Sequence, residues 1–139
     1  MYSFELDCYE RAIRNQDPER DILTINKYVH LGLWLAGRCD SIESTKKIYL
    51  RVALNLEEVI CDTLLSKDWR SYAFVQLRKL KPLLFEILSE KQYLEFNHRL
   101  GVLADFFLDG FSNSRFPHRS SIKNGNPSNT VSRKDIGGK

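Results

Sequence analysis

Cysteine is scarce and badly placed for structural work. The three residues, Cys8, Cys39 and Cys61, are odd in number and far apart. That spacing argues against a disulfide framework and against a zinc site. It fits reduced, partly buried thiols in a cytoplasmic protein. Histidine is as thin: His30, His98 and His118 stand alone, none with a second ligand three or four residues on. A structural role is therefore expected for each, and no metal or other cofactor. Glycine and proline number seven and four, mostly in the last third, which leaves the body free for long helices. No apolar run approaches the roughly 20 residues that span a bilayer. The longest covers residues 28–36, so no membrane association is expected. Residues 1–16 are charged throughout, and no signal peptide is expected there. A matched set of acid, base and nucleophile is missing as well, so an enzyme is not expected. Asp105 and Asp109, four residues apart, have no histidine motif or glycine-rich loop beside them and read as solubilising acids.

The formal net charge of +3 hides an uneven distribution. From residue 114 onward there are six Lys or Arg and one acid, Asp135. The remaining body holds 15 basic and 17 acidic residues and is close to neutral. Nucleic-acid binding would thus need a local patch rather than bulk charge.

At 139 residues the chain is expected to form one domain. Three segments are read from it. Residues 1–16 form a weakly helical N-terminal extension, with Phe4, Cys8 and Ile13 among charges. Residues 17–113 form an all-α, antiparallel up-down four-helix bundle. Residues 114–139, rich in Ser, Asn, Gly, Arg and Lys, form a disordered basic tail.

The clearest periodicity is near the end of the bundle. Tyr93, Phe96, Leu100, Leu103, Phe107 and Phe111 recur in steps of three and four and line one stripe of a helix. Ser89 and Gln92 have capping-box spacing, and Leu88 with Tyr93 fits a hydrophobic staple. The preceding helix repeats the pattern with Trp69, Ala73, Gln76, Leu77, Leu80, Leu84 and Ile87. Only two or three residues separate the two, so they are antiparallel neighbours. Pro82 lacks an amide hydrogen and should kink the earlier one.

Asp17–Pro18 reads as the start of the first bundle helix, which should run to about Gly37. Asp40 and Glu43 have capping-box spacing for the second, expected to reach Leu65. There Lys47, Arg51, Glu58 and Asp62 mark a wet face. Ser66 and Asp68 open the third.

Two surfaces stand out. The first helix is apolar on more than one side: besides its core stripe it carries Tyr28, Leu31, Trp34 and Leu35. Such a helix is buried on several faces, most simply against another subunit. Phe74 belongs to the same expected oligomer or partner interface. The competing reading is a few tolerated surface hydrophobes. On the third helix, Lys67, Arg70, Arg78 and Lys81 fall within an arc of about 80°, with Phe74 inside it. A basic stripe with an aromatic to stack on suits phosphate backbones and bases. It equally suits an ordinary solvated face.

The piece QLRKLKPLLFEILSEKQYLEFNHRLGVLADFFLDGFSNS resembles the C-terminal half of a bacterial four-helix-bundle family. That family includes proteins encoded by 23S rRNA intervening sequences and accessory variability proteins of diversity-generating retroelements. Leu88, Ser89, Tyr93, Gly110 and Ser112 stand at the packing and capping positions that carry the likeness. The resemblance implies a non-enzymatic pentamer that binds a reverse transcriptase and template RNA or DNA in support of mutagenic copying. Retroelement members are usually markedly basic, whereas this body is near neutral, so phosphate contact would fall to Lys67, Arg70, Arg78, Lys81 and the tail. The alternative is a protein-interaction adaptor or chaperone-like bundle without nucleic-acid binding.

Overall fold

The structure, a computed structural model, describes residues 3–107. The expectations for Asp109, Gly110, Phe111, Ser112 and the tail lie outside the described residues. Among the described residues there are six α-helices and no strand, as the all-α reading requires.

Helix α1, Phe4–Asn15, is no loose extension. The Ser3 hydroxyl accepts from the Leu6 amide at 3.1 Å and caps its start. Leu6 and Ile13, seven residues apart on one face, are fully buried. Burying two such side chains stabilises by about 1.5–3 kcal/mol each. The indole of Trp69, far along the chain, donates to the Ile13 carbonyl at 2.8 Å. Gln16 then ends the helix in the left-handed region, at φ 47°. Its side-chain amide donates to the Ser66 hydroxyl at 3.0 Å, and the Ser66 amide donates back at 2.9 Å. These two bonds offset part of the cost of a non-glycine residue in that conformation, about 1–2 kcal/mol.

Helix α2, Leu23–Gly37, starts later than Asp17–Pro18 predicts. Asp17 and Asp21 instead form side-chain turns, accepting from the amides of Glu19 at 2.9 Å and Leu23 at 3.0 Å. The buried face of α2 carries Ile25, Tyr28, Val29, Gly32 and Ala36; Tyr28, expected off the core stripe, is fully buried because Glu10 of α1 takes its hydroxyl. Gly32 is needed there: a Cβ at this position would lie 2.5 Å from Val52 Cγ2 of α3.

Helix α3, Ile42–Cys61, packs against α1, α2, α4, α5 and α6 and forms the centre of the molecule. Ser41 is its N-cap, one residue after the expected Asp40, and accepts from the Ser44 amide at 3.1 Å. The helix ends at Cys61 and not at Leu65.

Helix α4, Lys67–Lys79, is capped by Ser66 as expected. Pro82 does more than kink it. The helix stops at Leu80, and a separate α5, Lys81–Ile87, carries the proline in its first turn, where a missing amide hydrogen costs least. Helix α6, Glu90–Phe107, opens with the predicted capping box. The Gln92 amide donates to the Ser89 hydroxyl at 3.2 Å and the Ser89 amide to Gln92 Oε1 at 3.1 Å. Phe96, Leu100 and Leu103 are buried on its inner stripe. Helices α2 and α4 both pack on α3 and touch each other.

Candidate partner and nucleic-acid interface

The expected basic stripe on α4 is split by the fold. Arg70 is only 7% exposed. Its guanidinium donates to the Ile60 carbonyl at 2.8 Å and to the Phe107 carbonyl at 3.2 Å. The first acceptor lies in the last turn of α3, whose final carbonyls have no helical partner. A cation there also suits the negative end of the α3 dipole. Arg70 therefore ties the end of α3 to Phe107 of α6 and is withdrawn from any phosphate surface.

The other members stay outside. Lys67 and Arg78 are exposed and Lys81 is half-buried. Arg78 lies over the Phe74 ring, 5.8 Å from its centroid, and Phe74 is itself half-buried. Lys79, which the angular arc leaves out, joins them. The break at Leu80 brings Arg78, Lys79 and Lys81 around one shallow depression of about 480 Å³, with Val75 and Pro82. The signal that would have found Lys79 is the linear run Arg78–Lys79–Leu80–Lys81 at a helix break. A helical projection hides it.

Helix α2 packs beside α4. Asn26 donates to Gln76 of α4 at 3.4 Å, and the Gln76 amide nitrogen has no further partner. Trp34 is 58% exposed, with the Arg38 guanidinium 4.9 Å from its ring centroid. Leu31 and Leu35 are half-buried. Lys27 and His30 are exposed on the same side, and α2 contains no Asp or Glu. The face is thus apolar at its middle and cationic at its edges.

A second polar cluster is internal. The Arg51 guanidinium donates to both oxygens of Glu10, at 2.7 and 3.0 Å, and to Asp7. The Tyr28 hydroxyl donates to Glu10 at 2.8 Å. Arg14 reaches Asn55 at 2.8 Å and pairs with exposed Glu58 at 3.4 Å. Burial, with Glu10 beside it, pushes the Tyr28 phenol far above its ordinary range. The hydrogen bond to Glu10 raises the Arg51 guanidinium as well. Arg51, expected on a wet face, is covered by α1 instead. With its carboxylate occupied by a guanidinium and a phenol, this cluster holds helices together and offers no free base.

The thiols are uncombined among the described residues, and burial near Glu57 pushes the Cys61 thiol up, away from nucleophilic use. Among the described residues, no group of three His, Cys, Asp or Glu side chains is placed to hold a metal ion, and no helix is long and apolar enough to cross a membrane.

No protein-family model matches the chain, and no curated protein or solved structure matches it.

Proposed function

We propose that this chain is a non-enzymatic accessory protein of the retroelement type, working in the cytoplasm. Its helices form an up-down bundle, copies of it assemble, and the assembly binds structured RNA or DNA together with a reverse transcriptase. The observation that carries this reading is the pairing of two surfaces on one rigid scaffold. One is the cationic ridge of Arg78, Lys79 and Lys81. The other is the acid-free outer face of α2 around Trp34. The ridge neutralises phosphates, and the exposed Arg78 guanidinium, lying over the Phe74 ring, offers a flat cation for a base to stack on. The α2 face buries against protein. No group of the chain needs to do chemistry, because the copying reaction belongs to the polymerase.

Each protomer that neutralises about three phosphates should contribute a slope of roughly −2 to −3 to log K against log salt. Fluorescence anisotropy of a labelled RNA hairpin, titrated with the full chain at two salt concentrations, tests the reading. Binding that weakens steeply with salt is expected. Absent or salt-insensitive binding contradicts it.

A second reading is favoured by the same Trp34: an adaptor whose α2 face docks an acidic partner helix, with RNA playing no part. Under it, Trp34→Ala abolishes partner capture, and the ridge variants change nothing.

A further inference from the structure

The cationic depression between α4 and α5 has an aromatic beside it that the phosphate contacts do not use. Phe85 follows Lys81 by four residues and Pro82 by three, so it neighbours both on the surface of α5. It is 67% exposed. Its ring is nevertheless held. Tyr93 of α6 meets it edge to face, with centroids 5.2 Å apart and planes at 81°. Tyr93 in turn lies 6.4 Å from the ring of Phe96, which is buried in the core. A chain of three rings thus runs from the interior to the surface and fixes its outermost member. An edge-to-face contact engages at most one face of a ring, and the exposure of Phe85 leaves the rest open.

Charge decides what such a ring can take. Among the described residues, the depression is lined by Arg78, Lys79 and Lys81 with Val75 and Pro82, and by no acid. Glu86, also exposed on α5, is turned by about 100° from Phe85 and about 140° from Lys81. In the first turn of α6, Glu90 is followed by Lys91, and the two offset each other. A polyanion is therefore favoured on the Lys81 side of the ring. Bases inside a duplex are already stacked on both faces, so only an unpaired base can lie flat on a protein aromatic.

We propose that this site binds an unpaired strand of nucleic acid, with phosphates on Arg78, Lys79 and Lys81 and a base stacked on Phe85. The inference rests on the nucleic-acid binding of the preceding reading and names the form of nucleic acid taken. On a structured RNA the site holds a loop or an end, not the stem. RNA and DNA strands share the chemistry it uses, because neither a stacked ring nor a phosphate contact reads the 2′-hydroxyl.

The test uses the full chain with its Phe85→Ala, Phe85→Trp and Lys81→Gln variants. Circular dichroism first checks that each is folded. The probes are a short labelled RNA strand, the DNA strand of the same sequence and the RNA duplex, each titrated by anisotropy over a range of salt. Both strands should bind the wild type about ten-fold more tightly than the duplex, the worth of one stacked base. Phe85→Ala should weaken strand binding about ten-fold, leave the duplex unchanged, and keep the salt slope, since stacking releases no counterions. Phe85→Trp should keep the preference for strands. Lys81→Gln should instead reduce the slope for a strand by about 0.7. Absence of binding by every probe would overturn the nucleic-acid reading and this site together. A duplex bound as tightly as the strands, or strand affinity untouched by Phe85→Ala, would overturn the stacking platform alone and leave salt-driven binding in place.

Discussion

Arg51 of α3 grips Glu10 of α1 through two hydrogen bonds, 2.7 and 3.0 Å long, to the two carboxylate oxygens. This pair explains why a segment of unpromising hydrophobicity is a full helix. Asp7 and Glu10 look like solvent-facing charges in the sequence, yet both turn inward to one guanidinium. Removing one partner of a largely buried pair leaves the other charge uncompensated. Arg51→Met is expected to cost on the order of 3 kcal/mol, with early loss of protection in α1. Urea unfolding and hydrogen exchange check it. A loss under about 1 kcal/mol would mean the pair is an ordinary surface bridge.

Tyr28 gives the cluster a pH signature. Its phenol is raised in the folded chain, so the folded state holds its proton where the unfolded chain, with a pKa of about 10, releases it. The unfolded state then binds fewer protons, and stability must fall as pH rises above about 10. Below that the contribution is fully present. Tyr28→Phe should flatten this alkaline decline while costing about 1.5–3 kcal/mol at neutral pH, the worth of a hydrogen bond to a charged group. Thermal melts from pH 8 to 11 are the measurement.

Gly32 and Val52 predict a change of sign. Gly32→Ala puts a methyl group 2.5 Å from Val52 Cγ2. Overpacking of this kind costs about 1–3 kcal/mol, which exceeds or cancels the gain of about 1 kcal/mol from better helix propensity. In a Val52→Ala background the clash is gone, and the same change should stabilise. A double-mutant cycle in urea reads both values. Equal effects in the two backgrounds would show that the helices do not approach as closely as described.

Arg70 and Arg78 separate structure from function within one helix. Arg70→Met strands the Ile60 carbonyl at the end of α3 and breaks the tie to Phe107, and should lower stability by about 1.5–3 kcal/mol, with RNA affinity kept among molecules that remain folded. Arg78→Glu should leave the melting temperature within a degree or two, since exposed substitutions stay within about 0.5 kcal/mol, and should weaken RNA binding several-fold. Differential scanning calorimetry with parallel anisotropy titrations tests the pair. Reversed roles would refute the assignment.

What could be read in the sequence was local. The Ser66 cap, the Ser89–Gln92 box and the stripe from Phe96 to Leu103 depend on neighbours within a turn or two, and each stands in the structure. What escaped depended on distant partners. Arg70 belongs to the basic arc by angle, but an angle does not reveal that the end of α3 and Phe107 of α6 lie beside it. Helix α1 reads as weak because its polar residues find their partner 41 positions away. On α2, the surplus of apolar residues was legible. The absence of acid on its outer face was written there too, but only the fold shows that Trp34 on that face stays exposed.

The most direct test of the account is the light-scattering mass of the complex that the full chain forms with a structured RNA at low salt. The account predicts several copies of the 16.2 kDa chain on each RNA, held together by protein contacts and released from the RNA as salt rises. A single chain per RNA, or no complex at all, would contradict it.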